Sequence, residues 1–155
     1  MKRLFLFTVL ASIFMLNVAS MCSNDDNPTP NSTVDPTPVI QTVSTGTWKI
    51  TLYQDSGNNQ TAIFSGYNFT FAAAGVLTAN NGTNNYIGTW SVTSDNSLDD
   101  SPSNDLDFNI GFATPSNFQE LTEDWNILER TDTKVRLVHV SGGNGGTDYI
   151  TFEKN

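Results

Sequence analysis

The sequence predicts an all-β fold: an antiparallel up-and-down meander of about eight strands that closes into a barrel, with an open β-sandwich as the alternative. Three observations support this prediction. From Thr45 onward, apolar and polar residues alternate with a period of two. Turn sequences rich in Gly, Asn and Asp separate the alternating stretches. The region from residue 44 to 155 is long enough to bury one hydrophobic core.

Residues 1–21 have the composition of a secretory signal peptide. Lys2 and Arg3 precede an apolar run from Leu4 to Leu16, and small residues follow it. The run is too short to be a comfortable membrane-spanning helix. Cys22, the only Cys in the 155 residues, stands where such a signal is cleaved.

The segment Val18–Cys22 resembles the lipobox of bacterial lipoproteins, although Met21 stands where a small residue is usual. The resemblance implies that Cys22 is lipidated and anchors the protein to the outer membrane, on its periplasmic or its surface-exposed side. The acidic, Ser-containing residues 23–27 are similar to the start of Bacteroidetes-type lipoproteins, in which such a stretch acts in surface export. The alternative is an ordinary secreted protein with an incidental Cys.

Residues 22–43 are predicted to be a disordered tether. They are rich in Asn, Asp, Ser and Thr and contain Pro28, Pro30, Pro36 and Pro38. Proline fixes φ and removes a backbone donor, and the segment contains little that would build a core. The tether would hold the domain of residues 44–155 away from a membrane, or it would simply be a disordered terminus.

The alternation within residues 44–155 predicts the strands individually. Trp48, Ile50 and Leu52 face one way in the first of them, and Asn81-Gly82 is typical of a tight hairpin turn. A single helical turn is expected around residues 116–121. The eight predicted strands lie near residues 46–53, 63–72, 75–80, 85–93, 105–112, 123–130, 134–141 and 147–154.

An ordered set of short motifs resembles the lipocalin-like domain of bacterial lipoproteins. The motifs are Gly46-Thr47-Trp48, Phe69-Thr70-Phe71 before Gly75, Gly88-Thr89-Trp90, the segment from Leu121 through Trp125 to Ile127, and Phe152-Glu153-Lys154. The resemblance extends over nearly all of residues 45–154. It implies a β-barrel that binds a small apolar molecule.

Five aromatic residues are the candidate ligand-binding side chains: Trp48, Phe69, Trp90, Phe108 and Trp125. Eight strands enclose just enough room for side chains or for one small ligand. Large inward rings favour the filled interior over a cavity. If the barrel is filled, Tyr53, Tyr86 and Tyr149, on the opposite strand face, are candidates for an exposed patch that binds a protein partner.

The remaining polar residues do not predict catalysis or metal binding. His139 has no nucleophile placed beside it by the sequence, and we expect it to be structural or exposed. Glu120, Glu123 and Asp124 are expected to be surface charges. The acids between Asp95 and Asp107 lack the spacing of a calcium loop. The sequence therefore predicts no catalytic residue, no metal site, no cofactor and no enzyme.

Composition excludes several other classes of protein. One Cys and one His exclude an intrachain disulfide and a Cys/His zinc site. All 16 acidic residues follow Cys22, with only 5 of the 7 basic ones, so no basic footprint for nucleic acid exists. We expect a lipid-anchored cell-envelope lipoprotein whose lipocalin-like domain binds a small apolar ligand. The alternative is a non-catalytic structural or protein-interaction module, with an envelope protein as its partner.

Overall fold

The alternating segments form a closed antiparallel eight-stranded barrel, as the sequence predicts. The computed structural model describes residues 34–95, 105–143 and 145–155. The predicted signal peptide, Cys22 and the first part of the predicted tether lie outside these residues. Each long strand pairs with its neighbour in chain order, and the last strand pairs with the first. The open sandwich is therefore wrong.

The described strands are β1 (Trp48–Asp55), β2 (Asn58–Asn59), β3 (Asn68–Ala72), β4 (Val76–Asn80), β5 (Asn85–Asp95), β6 (Asp105–Gly111), β7 (Glu123–Arg130), β8 (Lys134–Val140) and β9 (Thr147–Lys154). The helices are α1 (Thr37–Val43) and α2 (Ser116–Gln119), with 3₁₀ turns at Thr61–Phe64 and Ala73–Gly75. The predicted strand at 63–72 starts late because its first residues form a 3₁₀ turn. The two-residue β2 is a hairpin arm that pairs only with the end of β1. None of the described helices is long and apolar enough to cross a membrane.

Closure depends on β1 and β9, which pair from Trp48 opposite Lys154 to Gln54 opposite Tyr149. The register shifts between Ile50 and Leu52, so Thr51 is an extra residue in β1. A bulge of this kind turns the following side chains to the other face of the sheet. Leu52 is consequently half-buried, and Tyr53 is buried in the core.

The predicted patch of exposed tyrosines is therefore not formed. Tyr53 packs edge-on against Phe64, and its hydroxyl donates to the backbone oxygen of Glu120 at 3.1 Å. Tyr86 stacks on Tyr67 and is half-buried, as is Tyr149. The expectation failed for Tyr53 because simple alternation does not anticipate a bulge.

The barrel interior is filled mainly by aromatic rings. Phe71 packs edge-on against Trp90, Phe108 and Phe152, with ring centroids 5.4 to 5.6 Å apart. The short helix α2, which the sequence predicts, inserts Phe118 into the same core. Edge-to-face pairs at these distances stabilise a core beyond simple area burial.

Helix α1 corrects the predicted boundary between tether and domain. Val39 and Val43 are buried in the core, and the Trp48 indole N–H donates to the backbone oxygen of Val43 at 2.9 Å. Residues 37–43 therefore belong to the folded domain, not to a disordered tether. Proline fits the first turn of a helix, where no amide donor is needed, so Pro38 lies in the first turn of α1 without preventing the helix.

Candidate functional site

An apolar groove lies between residues 34–39 and the strands β6, β7 and β8. Its volume is about 710 Å³. The N-terminal side contributes Val34, Pro38 and Val39, and the strands contribute Leu106, Ile127, Leu128, Val138 and Val140. The groove is therefore lined by aliphatic side chains from four separate parts of the chain.

The strand side of the groove exists because two strands present apolar side chains away from the core. In β8, Val135 and Leu137 point into the core, so Val138 and Val140 lie on the opposite face. In β7, the register shifts between Ile127 and Glu129, which leaves Leu128 as the extra residue of a bulge. Leu128 is 52% exposed and Val140 is 64% exposed. The apolar residues on both faces of β8 are the sequence signal that would have revealed this surface.

Polar groups hold the N-terminal side of the groove in place. The Arg130 guanidinium donates to the Thr42 hydroxyl at 3.0 Å and to the Pro38 backbone oxygen at 3.4 Å, so it joins β7 to α1. Hydrogen bonds from Thr37 lower the pKa of Asp35 below its usual value, and one of them is the Thr37 amide at 2.9 Å. These hydrogen bonds stabilise the charged form of Asp35, which lines the groove just before α1.

The five aromatic residues predicted as ligand contacts lie in the packed core instead. Trp48, Phe69, Phe108 and Trp125 are fully buried, and Trp90 is nearly so. The Trp90 and Trp125 indole N–H groups donate to backbone oxygens, of Ala72 at 2.9 Å and of Leu121 at 3.2 Å. None of the five lines the groove. Their indole donors are satisfied within the protein, which fits packing rather than ligand contact.

A second polar cluster forms where β7 and β8 pair. The His139 Nε2 lies 3.6 Å from the Glu123 Oε2, and the His139 Nδ1 lies 3.4 Å from the Asp124 Oδ1. Sequence reasoning treated the histidine and the two acids separately and missed this cluster. The Thr131–Lys134 turn could have predicted this cluster. If residues are paired outward from the turn along β7 and β8, residue 139 lies close to residues 124–126.

No protein-family model and no curated protein matches this chain. One similar solved structure is the crystal structure of a DUF4847 family protein from Bacteroides vulgatus. The two share 19% sequence identity with a TM-score of 0.46, over 76% of this chain and 97% of that one.

Proposed function

We propose that this chain is a lipid-anchored lipoprotein of the cell envelope, whose lipocalin-like barrel binds a small apolar molecule without catalysis. The observation that carries the binding role is the groove of about 710 Å³. The ligand lies in this groove, outside the barrel interior, because aromatic side chains fill that interior. No nucleic acid and no cofactor takes part.

The groove has the size and lining of a small-molecule site. Ligand pockets are typically 300–1,000 Å³ and mainly apolar, with a few polar groups that orient the ligand. Leu128 and Val140 keep about half of their surface exposed. Since full burial of an aliphatic side chain contributes about 1.5–3 kcal/mol, a ligand covering both gains about 1 kcal/mol from each.

Fluorescence titration with 1-aminoanthracene, a small neutral apolar probe, tests the binding role. The full chain in mild detergent should bind the probe saturably. The double variant Leu128→Glu, Val140→Glu should bind it about tenfold more weakly, because two charges replace the apolar wall. The matched control is Ile87→Glu, on β5, which is 67% exposed and does not line the groove. Equal binding by all three proteins would refute the groove as the site.

The anchor is tested separately. Acyl chains add about 0.8 kcal/mol of membrane affinity per buried CH₂, so a diacylated or triacylated Cys22 holds the protein firmly. The chain should fractionate with membranes and show the acyl mass on Cys22, and Cys22→Ala should release it. Equal membrane association of the variant would show that the protein is not anchored through this residue.

The exposed apolar side chains favour one alternative, a non-catalytic module that binds an envelope protein. A photo-crosslinking residue at position 128 should then capture a discrete protein partner in cells, while the same residue at position 87 captures none. In that case 1-aminoanthracene does not bind the groove saturably, and the two functions are distinguished.

A further inference from the structure

We propose that Glu123, Asp124 and His139 form a binding site for a divalent transition-metal ion, with Zn²⁺ as the reference ion. The proposal is independent of the groove. Glu123 and Asp124 begin β7, and His139 lies near the end of β8, so the pairing of these two strands assembles the donor set. Each residue offers one ligand atom, and these atoms lie within 4.8 Å of one another.

The imidazole is already oriented as a ligand. The His139 Nδ1 lies 3.0 Å from the backbone oxygen of Asp124. A carbonyl oxygen only accepts, so Nδ1 is the donor of this hydrogen bond, and Nε2 is the ring nitrogen that faces Glu123 and would bind the ion. Metal-binding histidines typically donate their second ring N–H to a carbonyl or carboxylate in this way. The ring also packs edge-on against Trp125, at 6.0 Å between centroids, and only 18% of the side chain is exposed.

The spacing of the facing atoms suits one ion. The Nε2 of His139 lies 3.6 Å from the Oε2 of Glu123. Two ligands of a tetrahedral Zn²⁺, each bonded at about 2.1 Å, stand about 3.4 Å apart. The Asp124 Oδ1 lies 3.4 Å from the Nδ1 of His139 and the side chain is 67% exposed. A rotation of this exposed side chain toward Nε2 supplies the third ligand. Water completes the coordination, as in open zinc sites.

The charge of the cluster favours a cation. Two carboxylates meet one imidazole, and within the described segments no Lys or Arg forms an ion pair with Glu123 or Asp124. Lys134 and Arg136, the cations of β8, pair with Glu129 at the other end of β7. Imidazole combined with carboxylate selects Zn²⁺, Cu²⁺ or Ni²⁺, whereas Ca²⁺ prefers sites made only of oxygen ligands.

Because the chain contains one His, its imidazole gives a single, unambiguous set of NMR signals. The full chain, prepared in mild detergent without an affinity tag, is titrated with ZnCl₂ and with CaCl₂. We expect Zn²⁺ alone to shift the Nε2 resonance of His139, and calorimetry to show one ion per chain.

Matched variants identify the ligands. Glu123→Gln and Asp124→Asn keep the shape of each side chain, and each should weaken Zn²⁺ binding at least about tenfold. The control Glu129→Gln removes an acid of the same strand that pairs with Lys134 and Arg136, and should leave binding unchanged. The proposal is overturned if Zn²⁺ produces no shift up to about 1 mM, if Ca²⁺ acts equally, or if the two ligand variants bind Zn²⁺ like the control.

Discussion

Phe118 is the side chain whose removal should cost this barrel most. It is fully buried, and rings pack around it at centroid distances of 4.9 to 6.2 Å: Phe64, Tyr67, Phe69, Tyr86 and Phe112. Truncating a buried Phe to Ala costs about 3–5 kcal/mol, and more where the surroundings cannot collapse into the space. Of the neighbouring rings, Phe69 and Tyr86 lie on paired strands and Phe64 lies in a 3₁₀ turn. Because these elements resist collapse, we expect about 4 kcal/mol for Phe118→Ala.

Urea unfolding followed by Trp fluorescence measures this loss. With a slope of about 2 kcal/mol per molar urea, 4 kcal/mol lowers the midpoint by about 2 M. Phe118→Leu should lose less than half as much, because it leaves a smaller cavity. The exposed neighbour Glu120, changed to Ala, should stay within about 0.5 kcal/mol of the parent. A loss below about 1 kcal/mol for Phe118→Ala would refute the view that α2 completes the core through this ring.

Three further predictions concern the backbone, pH and the domain boundary. Gly88→Ala should lower the free energy of unfolding by about 1–3 kcal/mol in the same assay, because its Cβ would collide with the backbone oxygen of Gly111. Gly142→Ala, where a Cβ meets no described atom within 4 Å, should be neutral. Burial raises the pKa of the Tyr53 hydroxyl above its usual value. The stabilisation by the protonated hydroxyl is therefore complete at pH values below the pKa that Tyr53 has in the unfolded chain. It declines as the pH rises toward the pKa that Tyr53 has in the folded protein. Tyr53→Phe should therefore flatten the alkaline loss of stability above about pH 10, and an identical pH profile would contradict the assignment. A chain beginning at residue 44 should be about 3 kcal/mol less stable than one beginning at residue 34, since it lacks the buried side chains of α1.

Local alternation was enough to predict the barrel strands. In β6, Phe108 and Ile110 face the core while Asp107 and Asn109 do not, which is the simple period of two. Alternation failed at Tyr53, because a bulge is set by the partner strand as well as by the bulged one. It also failed for α1, where Pro36 and Pro38 suggested disorder although their neighbours Val39 and Val43 pack into the core.

Less of the candidate sites could be predicted. The groove needs Leu128 and Val140 to point away from the core, and that orientation depends on the strand register. The metal-binding cluster joins residues 123–124 to residue 139, which are separated by a hairpin. Each residue looked unremarkable by itself, and only their pairing gives them a common chemistry.

The sequence alone determined the secondary structure class, the strand order and the position of the single Cys, because these depend on residues that are adjacent in the chain. It also determined that large aromatic residues would have to build the core. The tertiary structure decided where those rings go, which apolar side chains remain on the outside, and which acids meet His139. These outcomes depend on the register of paired strands, and one bulge residue in either strand is enough to turn the following side chains from one face to the other.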